Sequence, residues 1–308
     1  MNMNPHRLTA LKWMIIVGLT ILSTKVIAGT LTYDGFDYVS GSGLSGNGGG
    51  FGWHSNWTGN GGPTLSEITA PGLFLPTAIG NAYTATTYTG YSLQTTRILE
   101  TNRFSVLDGL GNIGASGTDL WFSFLVRDRA ITTGPEVWGG LRLFPGSIAD
   151  QNSLFIGKLA GEQHRWGIGY NVDPTGHAQV NPALSQIIPT AIEQDQTYLM
   201  VAHFVSTTLN EQISLYVNPS TTDVSPPTPD AVLTLPAGAF TFDRADFEVG
   251  ESLGRFTFDE LTFGTEYKSV ALNSTPGQRI DGVPELSTGM MLMGALGMMA
   301  SFRRFRCR

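Results

Sequence analysis

The chain has 308 residues, with 38 Gly, 16 Pro and only 14% charged residues, a composition typical of strands and turns rather than of helices. Between Gly29 and Gly282, 11 Lys and Arg stand against 24 Asp and Glu. The resulting net charge of about −13 excludes electrostatic attraction to nucleic acid or to an anionic membrane surface. The only cysteine, Cys307, is the penultimate residue, which excludes a disulfide scaffold, a thiolate metal site and a cysteine nucleophile in the rest of the chain.

The N-terminus has the three parts of a secretory signal. Arg7 and Lys12 precede an apolar run over residues 13–22, and small residues end with Ala28 before Gly29. Ten helical residues reach only about 15 Å, too short to span a bilayer. We therefore predict a signal peptide over residues 1–28 and an exported protein. The alternative is a buried N-terminal helix.

Residues 29–275 show period-two alternation in place of long helical periodicity. Leu120, Phe122, Phe124 and Val126 share one face of a predicted strand, and residues 121, 123, 125 and 127 share the other. Further strands are predicted at 137–144, 154–158, 166–170, 197–205, 213–217 and 255–263, with a proline-rich surface loop at 218–230. Many short strands without helices between them predict one all-β domain, a two-sheet antiparallel sandwich.

Two segments of this domain resemble the concanavalin A-like (laminin G-like) jelly rolls of exported bacterial proteins. The opening Tyr33-Asp-Gly-Phe-Asp-Tyr38, followed by glycine-rich sequence to Gly52-Trp53, is similar to the first strand, and Phe258-Asp-Glu-Leu-Thr-Phe-Gly264 is similar to the last. The segment from Leu120 to Arg129 also fits a middle strand. The resemblance implies a jelly-roll sandwich in which the first and last strands are neighbours and a concave sheet binds glycans.

The same resemblance implies a structural calcium ion where these two strands meet. The matching ligands are Asp259 with Asp34 or Asp37 and a nearby backbone carbonyl, and hard oxygen ligands suit calcium. The alternative is that Asp34 and Asp37 cap turns and Asp259 faces solvent.

Each string that matches a catalytic or cofactor-binding motif lacks the flanking helix, strand or residues that the motif requires. Gly41-Ser-Gly-Leu-Ser-Gly46 is followed by Asn-Gly-Gly-Gly, which does not start the helix that a dinucleotide site needs. Gly250-Glu-Ser-Leu-Gly254 is followed by a predicted strand rather than a helix, so Ser252 is placed in a hairpin turn. The Glu-x-Asp-x-Glu string of concanavalin A-like glucanases is absent from the sequence; Glu193-Gln-Asp195 is the nearest approach. The histidines lack metal-ligand spacing.

Trp138 and Trp166 are candidate glycan-stacking residues because each lies beside a glycine, which is less typical of a core position. Aromatic faces pack well against the apolar side of a pyranose ring. The alternative is that both tryptophans fill the sandwich core.

The C-terminal segment 276–308 combines a linker with a three-part tail. Val283-Pro284-Glu285 is followed by an apolar stretch to Phe302 and by four arginines from Arg303 to Arg308. The tail resembles the PEP-CTERM sorting signal of Gram-negative bacteria, from which it departs at Leu286, where that family has a second proline. The resemblance implies transient anchoring in the inner membrane and cleavage by an exosortase-like enzyme. A permanent membrane anchor is the alternative.

These observations predict a β-sandwich flanked by two hydrophobic signal helices. Three functions stay open: a cell-surface or extracellular-matrix protein without catalysis, a glycan-binding module, and a polysaccharide hydrolase or lyase. We expect the first, and we expect no enzyme activity. The expected partners are the export machinery, the exosortase-like enzyme and extracellular polysaccharide, with no role for nucleic acid.

Overall fold

A computed structural model describes residues 29–62, 64–73, 80–88, 92–129, 137–146, 152–162, 164–170, 183–250 and 254–271. All of these residues belong to one compact unit, Gly29–Arg279. The predicted signal peptide and the sorting motif Val283, Pro284 and Glu285 lie outside the described residues, as do both predicted signal helices. Within the described ranges, no helix combines the length and the apolar character needed to cross a bilayer.

The described residues form fifteen strands, one 3-10 turn and one short helix. The strands are β1 (Thr30–Asp34), β2 (Thr58–Gly59), β3 (Ser66–Thr69), β4 (Ala82–Thr86), β5 (Leu93–Ile98), β6 (Asp119–Asp128), β7 (Trp138–Phe144), β8 (Leu154–Lys158), β9 (Arg165–Tyr170), β10 (Ser185–Ala191), β11 (Thr197–Ser206), β12 (Asn210–Val217), β13 (Ala231–Pro236), β14 (Arg244–Gly250) and β15 (Arg255–Gly264). The 3-10 turn is Thr101–Arg103, and helix α1 is Tyr267–Ala271.

The strands form two antiparallel sheets, which confirms the all-β, two-sheet prediction. The eight-stranded sheet has the order β13-β12-β11-β6-β15-β4-β3, and β1 also pairs with β15. The seven-stranded sheet has the order β10-β9-β8-β7-β14-β5-β2. The pairing of β1 with β15 makes the first and last strands neighbours, as the sequence resemblance implied.

Strand β6 illustrates how alternation builds the core. Leu120, Phe122, Phe124 and Val126 point between the sheets and belong to the main core cluster. The other face of the strand is also apolar, because Trp121 and Leu125 pack in a second cluster with Tyr267, Val270 and Ala271 of α1. Both faces of this central strand are therefore buried, and α1 covers part of the outer face of the eight-stranded sheet.

Two connections bear on the sequence predictions. Residues 218–230 join β12 to β13 without a strand, which confirms the predicted loop. Strands β14 and β15 belong to different sheets, so the prediction that a hairpin turn joins them is wrong. Ser252 itself lies outside the described residues, and β15 begins at Arg255 as a strand, without the helix that a nucleophile elbow requires.

Candidate functional site

Two carboxylic acids lie side by side on the outer face of the seven-stranded sheet. In β14, Ala245, Phe247 and Val249 point into the core between the sheets. Because side chains alternate along a strand, Asp246 and Glu248 both point to the opposite face, with their Cα atoms about 7 Å apart. The strand therefore presents two neighbouring acids on one face.

Arg142 faces these acids from the adjacent strand β7. Its backbone is paired with that of Asp246, and its Nη1 atom lies 3.6 Å from Oε2 of Glu248. The guanidinium also lies over the ring of Phe144, at 4.8 Å from the ring centroid. Arg142, Asp246 and Glu248, which we name the charged cluster, are each at most 1% exposed.

Hydrogen bonds hold the two acids in different ways. The side-chain amide of Gln94 donates to Oε1 of Glu248 at 3.2 Å, and the backbone N–H of Thr95 donates to Oδ1 of Asp246 at 2.7 Å. Burial raises the pKa of Asp246 to about 6 and that of Glu248 to about 8, while the positive charge of Arg142 opposes both shifts. Burial thus favours the protonated form of both acids and Arg142 favours their ionised form, so Asp246 and Glu248 titrate as a pair beside one arginine.

The two tryptophans predicted to stack on glycans are both interior residues. Trp138 is 2% exposed and Trp166 is 1% exposed. The ring of Trp138 covers Gly250, where an added Cβ atom would lie 1.7 Å from the indole. An added Cβ atom would lie 2.4 Å from the Phe256 side chain at Gly139, which follows Trp138, and 2.7 Å from the backbone oxygen of Gln186 at Gly167, which follows Trp166. The glycines beside the two tryptophans therefore allow close packing rather than exposure, which corrects the interpretation that these tryptophans are the least core-like.

Asp34 does not take part in the predicted calcium site. Its carboxylate lies between the sheets, where it forms an ion pair with Arg97 and accepts hydrogen bonds from the Trp57 indole at 2.8 Å and the Tyr38 hydroxyl at 2.7 Å. A guanidinium already neutralises this carboxylate, so no positive charge is needed from a metal ion.

Asp259 lies on the outer face of the eight-stranded sheet. Its carboxylate is buried and accepts hydrogen bonds from the backbone N–H groups of Leu73 and Glu260, both at 2.9 Å. Burial raises the pKa of Asp259 well above the ordinary value, and the nearby charges of Glu260 and Asp37 raise it further. The structure thus brings Asp37 near Asp259 and leaves Asp34 on the inner face.

Of the two ligand pairs predicted for calcium, Asp259 with Asp34 does not fit this arrangement, because Asp34 is paired with Arg97 between the sheets and Asp259 lies on the outer face. The pair Asp259 with Asp37 stays a prediction. Across the described part of the chain, no group of three or more His, Cys, Asp or Glu side chains is arranged to hold a metal ion.

The charged cluster was missed by the sequence predictions, although the sequence contains its signal. Residues 244–250 alternate charged and apolar side chains with period two, which is the pattern of a strand. The pattern contains three charged residues, Arg244, Asp246 and Glu248. Because ionisable residues are rarely buried without partners, these residues do not indicate a buried strand. The partner, Arg142, lies about 100 residues earlier in the chain and follows from the sheet pairing alone.

No protein-family model matches the chain, and no curated protein matches it in sequence. Solved structures to which the chain is similar include an endo-β-1,4-glucuronan lyase from the fungus Trichoderma reesei, with 10% identity, a TM-score of 0.47 and coverage of 78% of this chain and 98% of the other. A β-1,3-glucanase from Mycobacterium marinum has 11% identity, a TM-score of 0.46 and coverage of 76% and 98%. Domain 4 of AbnA, a GH43 extracellular arabinanase from Geobacillus stearothermophilus, in complex with arabinotriose, has 17% identity, a TM-score of 0.41 and coverage of 80% and 98%. Likeness at this level assigns no function.

Proposed function

We propose that the chain is an exported β-sandwich protein that acts at the cell surface or in the extracellular matrix by binding, without catalysing a reaction. Its sandwich is a jelly roll of the concanavalin A-like class, and its partner is extracellular polysaccharide. Export follows from the predicted signal peptide over residues 1–28. Release from the inner membrane follows from cleavage of the PEP-CTERM-like tail by an exosortase-like enzyme.

The observation that supports a role without catalysis is the burial of the charged cluster. A polysaccharide is cleaved by acid and base groups that reach the glycosidic bond of a bulky polymer. Arg142 is 1% exposed, and Asp246 and Glu248 are fully buried. The three side chains neutralise and hold one another inside the fold, which is the arrangement of a structural cluster.

A second candidate function, a polysaccharide hydrolase or lyase, is favoured by the pKa values of the same residues. A general acid must be protonated at the working pH, and burial raises the pKa of Glu248 to about 8. Asp246, two residues away on the same face, has a pKa raised to about 6. Two acids with separated pKa values are the arrangement that acid–base chemistry needs.

Turnover assays separate the two functions. The full-length chain is incubated with a panel of neutral and uronate-containing polysaccharides, and new reducing ends and unsaturated products are measured. The proposal predicts no product from either the native chain or the Glu248→Gln variant. Product formation by the native chain that is lost in Glu248→Gln but kept in the matched control Asp195→Asn, an exposed acid, would establish the second function instead.

A further inference from the structure

A small cavity lies at the edge of the sandwich where β10 of one sheet meets β13 of the other. Its volume is about 200 Å³. Ligand pockets for drug-sized molecules run from about 300 to 1,000 Å³, so this cavity matches a single small ring rather than an oligosaccharide. It is separate from the charged cluster, none of whose residues line it.

The cavity has an apolar floor and a polar rim. Trp166, Ile188 and Tyr198 form the floor and are at most 4% exposed. The rings of Trp166 and Tyr198 meet edge to face with centroids 5.3 Å apart. The rim is exposed and carries hydroxyl, amide and carboxylate groups from Thr190, Glu193, Gln196, Asn218 and Asp230.

Hydrogen bonds fix part of this rim in place. The Tyr198 hydroxyl accepts a hydrogen bond from the backbone N–H of Glu193 at 2.7 Å. Oδ1 of Asn218 accepts one from the backbone N–H of Leu199 at 2.8 Å, and Oδ2 of Asp230 accepts one from Val217 at 2.7 Å. The rim is thus preorganised by contacts with backbone groups, which lowers the entropic cost of binding.

One polar group of the floor has no hydrogen-bond partner among the described residues. The indole N–H of Trp166 is buried and makes no hydrogen bond within the described residues. An unsatisfied buried donor costs on the order of 1–3 kcal/mol. Because Trp166 lines the cavity, a ligand bound there changes the surroundings of its indole ring.

We propose that this cavity binds one neutral, hydroxylated ring, such as a single sugar residue of a polysaccharide. An apolar floor packs against the C–H face of such a ring, and rim carboxylates and amides bind its hydroxyl groups. Glu193 and Asp230 give the rim two negative charges, which disfavour a uronate or another anionic sugar. The proposal rests on the proposed function in that it names the ligand class of a binding protein.

The test is a titration of the full-length chain with methyl β-D-glucopyranoside, methyl β-D-galactopyranoside, N-acetylglucosamine and glucuronate, followed by tryptophan fluorescence and by ligand-observed NMR. We expect at least one neutral sugar to bind with a dissociation constant in the millimolar range, and glucuronate to bind at least tenfold more weakly. Glu193→Gln should weaken binding of the neutral sugar about fivefold, because it removes a charged acceptor from an exposed rim position. Asp195→Asn, an exposed acid on the same turn that does not line the cavity, should leave binding unchanged.

Trp166→Phe tests the location of the site. This variant should lose the fluorescence change on binding, while Trp138→Phe, a buried tryptophan outside the cavity, should keep it. No saturable binding of any neutral sugar, or equal binding by the Glu193→Gln and native chains, would overturn the cavity proposal. Those results would not contradict the proposal that the protein is exported and has no catalytic activity. Polysaccharide turnover would contradict that proposed function but not the cavity proposal.

Discussion

Asp34 on β1 and Arg97 on β5 form a buried ion pair that joins the two sheets. Their side chains are 1% and 3% exposed. The guanidinium also lies 4.8 Å from the ring centroid of Trp53, and its Nε donates to the backbone carbonyl of Ser55 at 2.8 Å. Each charge thus has a charged partner and further polar or aromatic contacts inside the fold, which is the condition for a stable buried ion pair.

Breaking this pair should be costly. Asp34→Asn leaves Arg97 buried without a counter-charge, and we expect the free energy of unfolding to fall by about 3–5 kcal/mol. Urea unfolding followed by tryptophan fluorescence measures the loss. A matched control, Asp195→Asn, alters an exposed acid 3.7 Å from Arg129 and should change stability by less than about 1 kcal/mol. A loss below 1 kcal/mol in Asp34→Asn as well would contradict the structural role of the pair.

Stability should fall as the pH rises through the titration of the charged cluster. The pKa of Asp246 is raised from 3.8 to about 6 and that of Glu248 from 4.5 to about 8. The folded state therefore binds more protons than the unfolded state in this window. The contribution to stability is complete below about pH 4 and is lost as the pH approaches 8.

The neutral variant Glu248→Gln should flatten this dependence between about pH 6 and 8, since it resembles the protonated acid at every pH. The unfolding free energy measured across this range gives the slope directly, and the effect should reach a few kcal/mol at most. The exposed substitution Glu193→Gln serves as the control. An identical slope in the native and Glu248→Gln chains would show that Glu248 does not titrate in this range.

Gly250→Ala should destabilise the sandwich by about 1–3 kcal/mol, because its Cβ atom would lie 1.7 Å from the Trp138 ring. Gly62→Ala, where an added Cβ atom meets nothing within 4 Å, is the matched control and should be neutral within about 0.5 kcal/mol. Thermal unfolding of the two variants under the same conditions makes the comparison. Equal melting temperatures would mean that Trp138 does not cover this glycine.

Processing at both ends should be visible in the native host. Mass spectrometry of the exported protein should find an N-terminus at Gly29, because small residues at Val26 and Ala28 occupy the cleavage subsites. It should also find a C-terminus near Pro284-Glu285. Peptides from exported protein that retain Lys12 or Arg303 would refute the corresponding cleavage.

The strands predicted from the sequence are those in which apolar residues recur at every second position and turn residues mark both ends. Leu154–Lys158 was predicted with the bounds of β8, and the strand around residues 120–127 corresponds to β6, with residues 120, 122, 124 and 126 on one face as predicted. These segments show their structure locally because side chains alternate with period two. Strands β5, β10, β13 and β14 were not predicted. In β14 the signal is present, because charged and apolar residues alternate with period two over residues 244–250.

The candidate sites needed information that a single sequence does not contain. Burial of Trp138 and Trp166 depends on which strands pack beside them. The separation of Asp34 from Asp259 depends on which face of the eight-stranded sheet each side chain occupies. Pairing of Arg142 with Glu248 joins residues far apart in the chain. Such long-range relations are set by sheet register, which local patterns do not determine.

The chain length of a polysaccharide after binding shows directly whether the protein binds the polymer without cleaving it. The full-length protein is incubated with a panel of neutral polysaccharides, bound polymer is recovered with the protein, and its size distribution is compared with that of polymer incubated alone. We expect that at least one polysaccharide is retained and that its size distribution is unchanged. Retention of none, or a shift of the bound polymer to shorter chains that disappears with Glu248→Gln, would contradict it.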